Sequence, residues 1–247
     1  MQISVYEVQP LLETRSFFLA VDTLAPSVAR SIVLKVFSRS EPEAQTRGQR
    51  EALLLAQFPP SVPFVVADVG HDLAMGVDFY ALAMAGSVES FGLAAWPVAA
   101  QLQAFTRIAE TLLVFHNCGI MYRAFRSSSF LKFGGVPIPY DFSRARRMIP
   151  GKSNRVPALT YDQTLLPDDR VITEFDPPEA KDAEYDGVMG DVYGLGMLMK
   201  WAGLQHHGTC ASLVSRLITP DPGRRANSMH EVLRGILHCR REVKGDG

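Results

Sequence analysis

Short β-prone runs dominate the first third of the chain, at Ile3–Val8, Phe17–Val21, Ser31–Phe37, Phe64–Val69 and Phe79–Met84. Runs of this length, rich in Val, Ile, Leu and Phe, predict strands. One helical stretch interrupts them, from about Glu43 to Phe58. After Ala85 the period lengthens: Leu102, Phe105, Ile108, Ala109, Leu112, Leu113 and Phe115 recur at three-to-four spacing and predict a helix over Ala99–Asn117, stopped by Asn117 and Gly119. Further helices are predicted over Asp191–Trp201, Cys210–Thr219 and Ser228–Arg240, the last with a Ser start and basic final turns. Between them, from about Pro137 to Asp186, lies a segment rich in Pro and Gly with little periodicity. A loop that long inside a compact domain is usually functional, or the trace of a former function.

This order is a small sheet carrying one helix, then a mostly helical half. With 47% hydrophobic residues over 247 positions, disorder is not the expectation. Twenty-five basic and 26 acidic residues leave a net charge of −1, so no global basic field exists to hold a nucleic acid or an anionic membrane, and any such binding must be local. No stretch of about 18 uninterrupted apolar residues exists, which argues against a membrane-spanning helix. Met1–Arg15 lacks a basic region followed by an apolar one, so no signal peptide is readable. The compartment stays open between cytoplasmic and secreted. Cys118, Cys210 and Cys239 are odd in number, widely spaced and without a CxxC, and are expected to be plain thiols. His206-His207 has no Cys or carboxylate at ligand spacing, and no metal site is expected.

Six motifs follow in order. Ile32-Val33-Leu34-Lys35-Val36-Phe37 sets a lysine in a strand, with Glu51 in the helical stretch beyond it. Tyr122-Arg123-Ala124-Phe125-Arg126-Ser127-Ser128-Ser129 follows the long helix, and Asp141-Phe142-Ser143 begins 17 residues after Ala124. Pro177-Pro178-Glu179, Asp191-Val192-Tyr193-Gly194-Leu195-Gly196 and Asp221-Pro222-Gly223-Arg224-Arg225 complete the series. In this order, over most of the chain, they resemble a protein-kinase domain: its V-A-I-K strand and αC glutamate, H-R-D catalytic loop, D-F-G, A-P-E, D-V-W-S-L-G and D-P-x-x-R. The resemblance implies an α+β, bilobal protein-kinase-like fold. Its N-lobe would cover 1–85, a small antiparallel sheet with one αC helix, and its mostly helical C-lobe 86–247. Only 34 residues separate Asp191 from Arg225, which leaves no room for the family's αG helix. Glu179 and Arg225 resemble the ion pair that pins the activation segment, and are expected to be structural.

The chemistry departs from the family. Phosphoryl transfer needs a group that orients the attacking hydroxyl and accepts its proton, and Ala124 stands at that position with a methyl group. Ser129 replaces the metal-binding asparagine with a poorer Mg²⁺ ligand, Arg126 replaces the catalytic-loop lysine, and Ser143 replaces the glycine of D-F-G. Leu11–Asp22 has no glycine to let the backbone approach phosphates; the first in the chain is Gly48. With these losses the resemblance implies a pseudokinase, a catalytically inactive scaffold or allosteric regulator of a protein partner or client kinase, with no cofactor and no metal. The missing glycine loop beside P-P-E is also similar to the secreted rhoptry and dense-granule pseudokinases of apicomplexan parasites.

Alternatives stay open. Lys35, Glu51 and Asp141 read either as the vestige of a nucleotide site that binds ATP weakly or as a charge network joining the lobes. The alternative function is an atypical nucleotide-binding kinase with weak or non-standard phosphotransfer, although no spare carboxylate lies near Ala124. An aminoglycoside-phosphotransferase-like relative fits the second-half motifs less well. The 38 residues from Asp141 to Glu179 carry Arg144, Arg146, Arg147, Lys152 and Arg155, then Asp162, Asp168, Asp169, Glu174 and Asp176. They read as a docking surface, basic at one end and acidic at the other, or as a solvated face. His116 reads as a core or cap histidine, and Phe17 and Phe18 as side chains that fill the cleft or staple the sheet, with Phe142 another candidate to close the cleft.

Overall fold

The computed structural model describes residues 2–4, 6–10, 17–22, 30–58, 65–85, 88–89, 92–133, 136–148, 154–165 and 167–245. Strands β1 (Gln2–Ile3), β2 (Tyr6–Pro10), β3 (Phe17–Asp22), β4 (Arg30–Ser38), β5 (Val65–Asp72) and β6 (Val77–Ala85) form a six-stranded sheet in the order β1-β2-β3-β4-β6-β5. Every pairing in it is antiparallel. Helix α1 (Pro42–Leu55) joins β4 to β5. It begins on a proline, whose missing N–H costs nothing at a helix start, and ends before the predicted Phe58 because Pro59-Pro60 cannot continue it.

Alternation along β4 sorts its side chains onto two faces. Ile32 and Leu34 pack with Ile3, Tyr6, Val8, Phe18, Phe79 and Ala81 on one face, whereas Val33 and Phe37 join Leu54 and Leu55 of α1 on the other. Lys35 shares the parity of Val33 and Phe37, so it points toward α1. Phe18 therefore staples the outer face of the sheet and does not fill the cleft. The side chain of Phe17, and the glycine-free stretch over 11–16, lie outside the described residues. The single strand expected over Ile3–Val8 is two strands, because Ser4 adopts a left-handed φ of 52° and donates its N–H to Asp72 Oδ2 at 2.6 Å.

The second half is built on α2 (Val98–Asn117), α3 (Gly187–Trp201), α4 (Gly208–Leu217) and α5 (Met229–Gly245). Leu102, Phe105, Ile108, Leu112 and Phe115 of α2 meet Leu195, Leu198, Val214 and Ile236 in one core. In α3 a Cβ at Gly194 would stand 2.4 Å from the Phe125 ring, and one at Gly196 2.6 Å from Leu217 Cβ. The G-x-G of this helix is thus a packing requirement. The helix starts earlier than predicted because Asp186 caps it, accepting from Val188 N and Met189 N at 2.9 and 3.1 Å. Between α3 and α4 the chain makes one 3-10 turn, Leu204–His206.

The segment read as aperiodic is ordered by short pairings. Beyond β7 (Val88–Glu89), strands β8 (Ile120–Met121), β9 (Phe130–Phe133), β10 (Val136–Pro139), β11 (Arg146–Arg147), β12 (Arg155–Pro157) and β13 (Glu184–Asp186) pair as β7 with β9, β9 with β10, β8 with β11 and β12 with β13. Strands of two to four residues are too short for a readable period. No described helix is long and apolar enough to cross a membrane.

Candidate functional site

Lys35 is 2% exposed and sits where the sheet, α1 and the segment after β10 meet. Its ammonium has three protons, and Nζ lies 2.9 and 2.8 Å from Glu51 Oε1 and Oε2 and 3.2 Å from Asp141 Oδ1. Tyr80 donates its hydroxyl to Glu51 Oε2 at 2.9 Å. Sequence reasoning therefore named three residues that do come together, and missed Tyr80. Burial pulls the Glu51 carboxyl above its usual range against the opposing charge of Lys35. Burial also works to raise Asp141, but Lys35 and the Ser143 N–H at 3.0 Å outweigh it and hold Asp141 below the usual range. Phe142 is fully buried, its ring centroid 5.8, 6.0 and 5.9 Å from those of Phe58, Phe115 and Tyr122.

Asp191 organises the loop that follows α2. Completely buried in α3, it accepts from Tyr122 N and Arg123 N at 2.8 Å each, and from His116 Nε2 at 2.8 Å. His116 is thus a partner of a buried carboxylate, within the structural role expected of it. Arg123 has φ 58°, a left-handed conformation that costs energy for a non-glycine residue and persists when its surroundings over-determine it. The next residue, Ala124, is buried and packs in the main core. Ser129 is buried too, its carbonyl accepting the Tyr122 hydroxyl at 3.1 Å and Tyr140 N at 3.2 Å. Arg126 is half-buried. Ser143 is buried, and its carbonyl accepts from Arg50 of α1.

Much of the charge after Asp141 is spent internally. Arg123 reaches Asp162 at 3.0 Å, the Tyr185 hydroxyl at 3.2 Å and the Pro157 carbonyl at 3.2 Å, and Arg146 meets the same Asp162. Arg144 is 1% exposed and donates from Nη1 to both oxygens of Asp176 at 3.0 Å, while Arg47 of α1 pairs with Asp169 at 2.5 Å. The expected basic-to-acidic surface is narrower than the sequence suggests, because Arg144, Arg146, Asp162, Asp169 and Asp176 pair within the chain. Arg147, Arg155, Asp168 and Glu174 remain exposed. Lys152 lies outside the described residues. Burial works to raise the Asp162 carboxyl, but hydrogen bonds from Thr164 and Arg146 and the charge of Arg123 outweigh it and hold it below the usual range.

Glu179 and Arg225 meet in a fork at 2.5 and 2.9 Å. The guanidinium also donates to the Thr219 and Pro220 carbonyls at 2.8 and 3.0 Å. The three cysteines are free thiols, and burial pushes the Cys210 thiol up to about 12. Among the described residues no group of three His, Cys, Asp or Glu could hold a metal ion. No family model and no curated protein matches this chain.

What this arrangement can do is limited by its donors. Lys35 offers an ammonium already neutralised by two carboxylates, Asp141 offers one carboxylate whose side chain is 24% exposed, and the loop around Ala124 offers no proton acceptor stronger than a hydroxyl.

Proposed function

We propose that the chain is a protein-kinase-like domain that has lost phosphotransfer, a pseudokinase with an N-lobe over 1–85 and a C-lobe over 86–247. It acts by binding a protein, as scaffold or allosteric regulator. One observation carries the proposal: the loop after α2 begins with Tyr122 and Arg123 N–H groups fixed on the buried Asp191, and its next residue, at the sequence position where the family has its catalytic aspartate, is Ala124. Support also comes from the buried Lys35, which ties Glu51 of α1 to Asp141 after β10 as a structural charge network would. This favours the charge network over the nucleotide vestige.

A second reading, an atypical nucleotide-binding kinase, rests on the solvent-facing quarter of Asp141. Restoring the base separates the two. Ala124→Asp alone and with Ser129→Asn, each first shown to fold by thermal unfolding because both positions are buried, are expected to show no transfer from radiolabelled ATP to a generic basic protein substrate. Transfer above that of the parent chain would demonstrate a working nucleotide cleft and favour the atypical kinase.

A further inference from the structure

A cavity of about 310 Å³ opens between the outward side of α1 and the chain after Phe142, lined by Arg50, Leu53, Gln57, Arg146, Arg147 and Thr164 among others. Its walls are unusual in two respects. First, Leu53 is 69% exposed, one of the most exposed large apolar side chains described, and it stands one helical turn from Arg50. Second, two of the three cations here make no ion pair among the described residues. Arg50 donates to the Thr164 carbonyl at 2.6 Å and to the Ser143 carbonyl, both neutral, and its Nε is buried without an acceptor among the described residues. Arg147 is exposed and meets no carboxylate among the described residues. Only Arg146 has an ion-pair partner, Asp162. A cation held by neutral dipoles beside an exposed leucine is complementary to a carboxylate next to an apolar side chain.

We propose that this groove docks an acidic, leucine-bearing segment of a partner protein, with carboxylates over Arg147 and Arg50 and the apolar side chain against Leu53. The proposal rests on the view that the domain works by binding protein. The site is placed to matter: α1 also carries Glu51, the partner of Lys35, and Arg50 ties the same helix to Ser143 and Thr164. A segment seated there would bear on the position of α1 and so on the charge network beneath it.

The test uses the full chain and three probes: a fluorescein-labelled helical peptide of Glu, Leu and Ala, its counterpart with Lys for Glu, and phosphatidylserine vesicles. By anisotropy, the Glu peptide is expected to bind at low salt and the Lys peptide not to. Leu53→Asp and Arg147→Glu should each weaken binding by about fivefold or more, while Arg234→Glu, on the exposed face of α5, should leave it unchanged. Both groove positions are exposed, and thermal unfolding confirms that the variants fold. Absence of Glu-peptide binding, or binding indifferent to Leu53→Asp and Arg147→Glu, would overturn the proposal. Vesicle binding with that residue dependence would overturn it in favour of a lipid headgroup. ATP titration of the same samples reports separately on the pseudokinase reading, so a silent groove beside a silent nucleotide cleft removes this docking site alone.

Discussion

Arg123 and Asp191 show how much is concentrated in single residues here. The left-handed backbone of Arg123 is held by two N–H groups that both end on Asp191, and its side chain by Asp162. Asp191→Ala should orphan two buried N–H groups, each costing about 1–3 kcal/mol, so a loss of about 2–6 kcal/mol is expected in urea unfolding, with no change for an exposed control such as Asp168→Ala. Asp162 gives a pH dependence with a definite sign. Its folded carboxyl titrates below the usual range and its unfolded one near 4, so its contribution to stability is present above about pH 4 and is lost as pH falls through the folded value. Asp162→Asn should therefore be less stable at neutral pH and show a flatter acid limb in urea midpoints measured against pH. A parallel acid limb would show that Asp162 does not titrate as described. Lys35, Glu51 and Asp141, which do meet, were legible in the sequence because each sits in a short local pattern. Asp162 was not, since its partner Arg123 lies 39 residues away and a buried aspartate looks like a solvated one in an acidic run.

At the scale of elements, the long helices were readable because an apolar face repeats over several turns, as in α2, and the sheet strands because their runs exceed four residues. The pairings β8 with β11 and β12 with β13 were not, because two or three residues hold no period and their register is set by what they pack against. The end of the segment is fastened by Glu179 and Arg225, the latter only 3% exposed. Arg225→Met should leave a partly buried carboxylate without its partner and cost about 3–5 kcal/mol, seen as a lowered thermal midpoint. Glu179→Gln with Arg225→Met should recover part of that loss, and failure to recover any would mean that the guanidinium bonds to Thr219 and Pro220 carry the stability instead.

Over the whole molecule, three polar contacts among the described residues tie the sheet and α1 to the segment that follows β10: Lys35 with Asp141, Arg47 with Asp169, and Arg50 with the Ser143 and Thr164 carbonyls. All three pass through charges, and two start on α1. Under the proposed pseudokinase reading, the contacts that join the halves also keep the Lys35 ammonium engaged by Glu51 and Asp141. The measurement that tests this most directly is calorimetric titration of ATP and ADP, with and without Mg²⁺ or Mn²⁺. The proposed pseudokinase reading predicts no heat of binding up to millimolar nucleotide. Micromolar binding that disappears in Lys35→Ala would contradict it.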